Sequence, residues 1–118
     1  MTTNEEKPRL FIRNANLKDI PDIIRLTQAA YPGLPPYTPA HLQGHMQNFP
    51  EGQFVAVYDN KIVGYCATIR VPENIAFAQH SWREITGGGY GSRHSPVGEW
   101  LYGMDVSVDP SCVFAFNA

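Results

Sequence analysis

The stretch Leu101–Pro110, Leu-Tyr-Gly-Met-Asp-Val-Ser-Val-Asp-Pro, constrains the fold more than any other part of the chain. Tyr102, Met104, Val106 and Val108 point one way and Gly103, Asp105 and Ser107 the other, the period of two that belongs to a strand with one buried face. Asp109-Pro110 then stops it. Proline lacks the amide a ladder needs and holds the preceding residue extended, so the chain must leave the sheet and turn.

The other elements follow from their own signals. Arg9–Asn14 alternates and reads as a first strand. Asp19 is placed to cap a helix with Pro21 in its first turn, where a missing amide does no harm, and Ile20, Ile23, Ile24, Leu26 and Ala30 supply its apolar stripe. Tyr31-Pro32-Gly33 ends it. Thr38-Pro39 repeats the start signal, with Leu42, Met46 and Phe49 recurring down one face until Pro50. Gln53–Tyr58 and Lys61–Arg70 are strands joined by Asp59-Asn60, residue types that tolerate positive φ, and so form a hairpin. Gly64 marks a bulge or a close approach. The long excursion from Val71 to Gly98 calls for local folding or a function. Ile75, Phe77, Trp82 and Ile85 can dock a short helical piece, leaving Gly87-Gly88-Gly89 as a flexible crossing.

At 118 residues with 43% apolar content the chain supports one domain with a core. The formal charge of -2, with the basic residues scattered, argues against nucleic acid as a partner. No apolar run is long enough to span a bilayer, and none near the start resembles a signal peptide, so no membrane partner and a cytoplasmic location are expected. Cys66 and Cys112 are too few and too far apart for a disulfide framework or thiolate cluster. Cys66, inside an apolar strand, reads as a small core residue. His41 and His45 stand at i, i+4, but no glutamate follows His41 and no third ligand is evident. They read as surface histidines, with no metal expected.

Ile85-Thr86-Gly87-Gly88-Gly89-Tyr90-Gly91-Ser92-Arg93-His94-Ser95-Pro96, followed by Leu101–Val106, resembles the acetyltransferase domain that some bacterial proteins carry ahead of a carbon-nitrogen hydrolase domain. The Leu101–Pro110 stretch is similar to the fourth strand of the GNAT acyltransferases, and the resemblance runs from about Leu10 to Ser111. It implies an α+β, three-layer GNAT-like fold: a mixed, mainly antiparallel sheet with two N-terminal helices and an incomplete C-terminal half. The polar, charged residues 1–8 read as a disordered tail, and the resemblance implies a truncated GNAT domain over 9–110 and a tail outside the family pattern over 111–118. The departure lies there: where GNAT members continue with Arg/Gln-x-x-Gly-x-Gly/Ala opening a helix, this chain reads Ser111-Cys112-Val113-Phe114.

The resemblance implies acetyl transfer from acetyl-CoA to a small amine or lysine-like acceptor. Backbone groups of Val106, Ser107 and Val108 would meet the pantetheine arm. Asp105, or Glu99 at the start of the same strand, would act as base or hold a water; the alternative is that Asp105 satisfies loop amides and Glu99 is solvated. Tyr90, Arg93 and His94 would contact the acceptor, or are exposed polar loop residues. Without the glycine turn, coenzyme binding is expected to be impaired. A second reading is a non-catalytic module whose open sheet edge pairs with a second copy in a homodimer, or is covered by the apolar tail Val113–Phe116. The triple glycine lacks the strand, lysine and helix context of a phosphate loop.

Overall fold

The computed structural model describes residues 9–112. Strands β1 (Leu10–Asn14), β2 (Gln53–Tyr58), β3 (Lys61–Val71) and β4 (Trp100–Val108) form one sheet in that order, every pairing antiparallel. Asp59 and Asn60, at φ 48° and 68°, make the two-residue turn between β2 and β3. Positive φ at both positions matches the right-handed twist of the flanking strands. The expectations for Met1–Pro8 and Val113–Phe116 lie outside the described residues.

Helices α1 (Ile20–Ala30) and α2 (Pro39–Asn48) cover one face of the sheet. Ile20, Ile23, Leu26, Leu42 and Met46 pack there on Val55, Val57, Tyr65, Ala67 and Ile69. Each fully buried aliphatic side chain contributes about 1.5–3 kcal/mol, so this layer holds the domain together. Thr38 caps α2 as expected, its hydroxyl accepting from the His41 amide at 3.3 Å. The Thr38 amide donates back to His41 Nδ1 at 3.1 Å, a capping box closed by histidine instead of glutamate.

Asp19 does not cap α1: it makes no capping hydrogen bond and has helical φ and ψ, because a 3-10 turn at Leu17–Asp19 precedes the helix. Asn16 caps that turn instead, and the Asp19 carboxylate accepts two hydrogen bonds from Arg13, at 2.8 and 2.9 Å, and one from the Asn16 amide. Burial alone would raise the Asp19 carboxyl; Arg13 and the Asn16 amide outweigh it and hold it below its ordinary value.

Two bulges shape the sheet. On β3 the register slips beside Gly64, as the lone glycine suggested: Ala56 faces Gly64 but Val57 faces Ile62, leaving Val63 as the extra residue. On β4 the register passes from Gly103 opposite Thr68 to Asp105 opposite Ala67, leaving Met104 unpaired. The simple alternation read from the sequence therefore fails past Met104. One inserted residue moves every later side chain to the other face, so Asp105 and Ser107 join buried Met104 on the helix side, while Val106 and Val108 stand 59% and 41% exposed on the opposite side. There they join Ile12, Phe54, Ala56, Gly64 and Cys66 in a shallow groove lined by strand residues alone. Cys66 is thus half-buried on the open face and not in the core, because its strand alternates around Tyr65 and Ala67.

The excursion after β3 folds into two short helices, α3 (Glu73–Ala76) and α4 (Trp82–Thr86). Ser81 caps α4, Ile85 enters the core, and Phe77 meets Trp100 edge to face with ring centroids 4.8 Å apart. The glycine run is no flexible crossing. Gly87, Gly88, Gly89 and Gly91 all have positive φ, and a Cβ on Gly87 would lie 2.0 Å from Ser92 Oγ. The backbone is locked into a left-handed path that other residues would strain to follow.

Candidate active site

The glycine path ends at a buried histidine. His45, fully buried on α2, donates from Nε2 to the Gly89 carbonyl at 2.7 Å and accepts on Nδ1 from the Tyr65 hydroxyl at 2.7 Å. A carbonyl only accepts, so this tautomer follows from the partners. Burial holds the ring neutral, lowering its pKa to about 4 against the Gly89 carbonyl's opposing pull. His45 is therefore a pin between α2, β3 and the glycine loop. The reading of His45 as a surface residue was wrong because helix periodicity does not show which partner a polar side chain meets. His41, half-buried, keeps Nδ1 on Thr38 and packs its ring 4.2 Å from that of Tyr90.

Beside this pin lies a cavity of about 490 Å³, between the end of α1, the proline-rich loop to α2, α4 and the β4 bulge. Tyr31, Leu34, Pro35, Pro36, Tyr37, Trp82 and Met104 make its walls largely apolar, and His41, Arg83 and Asp105 add ionisable groups. The bulge brings Asp105 into it. Its carboxylate accepts from the Ser107 hydroxyl at 2.6 Å and, among the described residues, has no cationic partner within ion-pair distance. Burial pushes the Asp105 carboxyl above the ordinary carboxylate range, and the Ser107 hydroxyl offsets only part of this. Burial likewise pushes the Tyr37 hydroxyl up, with the nearby Asp105 charge adding to it.

The outer edge of β4 is one of the two free edges of the sheet among the described residues, β1 forming the other. Two cavity aromatics hold its carbonyls: Trp82 Nε1 donates to Met104 at 2.8 Å, and the Tyr31 hydroxyl to Val106 at 2.7 Å. Alternation turns the main-chain groups of Val106 and Val108 outward. Ser107 is different: it pairs with Tyr65 of β3 and its carbonyl lies on that strand's side, so its backbone belongs to the ladder. Past β4, the Asp109 amide donates to the Val63 carbonyl and its carboxylate accepts from the amide and hydroxyl of Ser111, at 2.9 and 2.7 Å.

The remaining residues singled out from sequence are dispersed. Glu99 is exposed just before β4, roughly 20 Å from Asp105 at about 3.3 Å per strand residue. Tyr90 is outside the cavity lining and reaches it only by stacking on His41. Arg93 is exposed. His94 is half-buried elsewhere: its Nδ1 accepts from the Arg70 amide at 3.0 Å and its ring stacks on Phe49 at 4.3 Å. Burial, then the Arg70 charge, lowers the His94 pKa. Tyr31, Tyr37, Arg83 and, as a site residue, Trp82 escaped the sequence reading; their one signal was two tyrosines bracketing a run of prolines.

The helix-covered sheet and the bulged fourth strand with the cavity beside it have a GNAT-like fold. The loading GNATL domain of CurA from Lyngbya majuscula superimposes with a TM-score of 0.73 over 88% of this chain and 50% of that one, at 17% identity. GphF, a GNAT-like decarboxylase in complex with isobutyryl-CoA, gives 0.72 over 90% and 56%, at 24% identity. In sequence the chain is similar to two Bacillus subtilis proteins. It is 38% identical over 102 residues to the probable hydrolase YhcX, covering 86% of this chain and 20% of that protein. It is 32% identical over 107 residues to the uncharacterized N-acetyltransferase YkwB, covering 86% and 46%. The chain thus spans less than half the length of either curated relative. No family model matches. Among the described residues no helix is long and apolar enough to cross a membrane.

Proposed function

We propose that this chain carries the acceptor half of an N-acyltransferase site, in which an acyl-CoA thioester, acetyl-CoA in the first instance, lies along β4 and a primary amine enters the cavity beside Asp105. The observation that carries the reading is the bulge at Met104: it turns a desolvated carboxylate into the cavity while the strand's outer edge is unpaired by any other strand among the described residues. Outward main-chain groups of Val106 and Val108 would meet the pantetheine arm. The relative named an N-acetyltransferase and the neighbour holding isobutyryl-CoA support the reaction class.

The chemistry is direct. The amine, protonated in water below a pH of about 10, gives its proton to Asp105, directly or through a water. Its lone pair then attacks the thioester carbonyl carbon, the C–N bond forms, the C–S bond breaks, and the coenzyme leaves as a thiolate that takes up the second proton, the one the nitrogen releases as it becomes an amide. A carboxylate whose pKa is raised by burial is the stronger base for this step.

Coenzyme affinity in this chain is proposed to be weak. Where the resemblance calls for glycine-turn amides around a pyrophosphate, the Ser111 amide is already held by Asp109. Each charge-assisted hydrogen bond forgone costs about 1.5–3 kcal/mol. The second reading, a non-catalytic module pairing with a second copy, draws on the free β4 edge and exposed Val106, Val108 and Ile12. Calorimetric titration with acetyl-CoA and light scattering separate the two: saturable heat supports the transferase, whereas no heat with a dimer supports the module. In the transferase case Asp105→Asn lowers acetyl transfer to amines by about 10²–10⁴-fold with acetyl-CoA affinity unchanged.

A further inference from the structure

The cavity holds two opposite charges that the fold itself leaves unmatched. Asp105 is half-buried, and the Ser107 hydroxyl is its hydrogen-bond partner; no cation among the described residues lies within ion-pair distance of it. Desolvating a carboxylate without a cation is costly, and a bound ammonium group would relieve that cost. Arg83, on α4 at the exposed rim, lines the same cavity and makes no ion pair or side-chain hydrogen bond among the described residues. The rings of Tyr31, Tyr37 and Trp82, with Leu34 and Met104, line the same cavity. Aromatic faces suit both an ammonium group and an apolar body. Cavities of this volume take small molecules.

We infer that the cavity binds a free amino acid with an apolar or aromatic side chain, its ammonium group on Asp105 and its carboxylate on Arg83. The inference rests on the reading of the cavity as the acceptor site and narrows the acceptor from amines in general to zwitterionic amino-carboxylates. A simple alkylamine would leave Arg83 unused, and a carboxylic acid would be repelled by Asp105. Arg83 presents two donors in a planar fork that matches a carboxylate.

The test is binding to the purified chain without coenzyme, which keeps it separate from acyl transfer. The probes are L-phenylalanine, phenethylamine, which lacks the carboxylate, and 3-phenylpropionate, which lacks the ammonium group, titrated by calorimetry at pH 7.5. Phenylalanine is expected to bind at least tenfold tighter than either analogue. Arg83→Gln should bring phenylalanine down to phenethylamine, and Asp105→Asn should bring it down to the level of 3-phenylpropionate or below. Both substitutions are near-isosteric or exposed, and an unchanged circular dichroism spectrum verifies the fold. Phenethylamine binding as tightly as phenylalanine, or no phenylalanine binding up to 10 mM, roughly 3 kcal/mol on the affinity scale, overturns the inference. Phenylalanine binding without acetyl-CoA binding leaves the inference standing and removes the transferase reading; acetyl-CoA binding without phenylalanine binding does the reverse.

Discussion

His45 makes the stability of this domain depend on pH in a way that can be calculated. The ring is neutral in the fold, with its pKa lowered to about 4 by burial, the Gly89 carbonyl pulling the other way and the His41 charge adding to the lowering. In the unfolded chain it returns to about 6.5. Between those values the unfolded state binds the extra proton, so the contribution is complete above about pH 6.5 and is lost as pH falls toward 4. From pH 7 to pH 4.5 the two constants give a loss of about 2 kcal/mol, a large share of a marginal stability. Asp105 works in the opposite sense, because its raised carboxyl takes up a proton more readily in the fold. His45→Gln isolates the histidine: an amide can accept from Tyr65 and donate to Gly89, but does not titrate here. Urea unfolding at pH 7 and pH 4.5 should show wild type losing about 2 kcal/mol more than the variant. Equal losses would refute the claim that a neutral, buried imidazole pins α2 to the glycine loop.

Three other predictions rest on the packing. Arg13→Met strips Asp19 of its ion pair and leaves a buried carboxylate with one amide; because the Arg13 side chain is 37% exposed and screened, the cost is about 1–3 kcal/mol at pH 7 and not the full buried-pair value. Asp19 titrates below its ordinary value in the fold, so its contribution is present above about pH 4 and lost below, and denaturation curves of wild type and variant should converge as pH falls toward 2. Gly89→Ala forces φ 92° on a residue with a Cβ and sets that carbon 3.0 Å from the Trp82 ring, a destabilisation of about 1–3 kcal/mol readable as a lower urea midpoint. Trp82→Phe removes the donor to the Met104 carbonyl and should cost about 1–3 kcal/mol, with faster amide exchange at the β4 bulge.

Much of the fold is written locally. The Asp59-Asn60 turn, the Thr38-Pro39 start, the stripe of α1 and the stop at Asp109-Pro110 each rest on a preference of one or two residues, and such preferences survive into the structure. The GNAT-type layout was legible because strand, helix, helix, strand, strand, strand is a pattern of order. The misreadings share one cause. Asp19 as a cap, the faces of Val106 and Val108, Cys66 in the core and His45 at the surface all concern where a side chain points after distant segments have met.

The site shows the same division. Asp105 could be named in advance, since it sits in the best strand, but that it faces the cavity depends on one unpaired residue, Met104, and a bulge arises only when β4 is fitted against β3. Tyr31, Tyr37 and Arg83 carried no local mark, because their roles exist only across a cavity that α1, α4 and β4 enclose together. Residue preferences act over a few bonds and determined the elements; desolvation and charge pairing act through space and were decided by the tertiary structure.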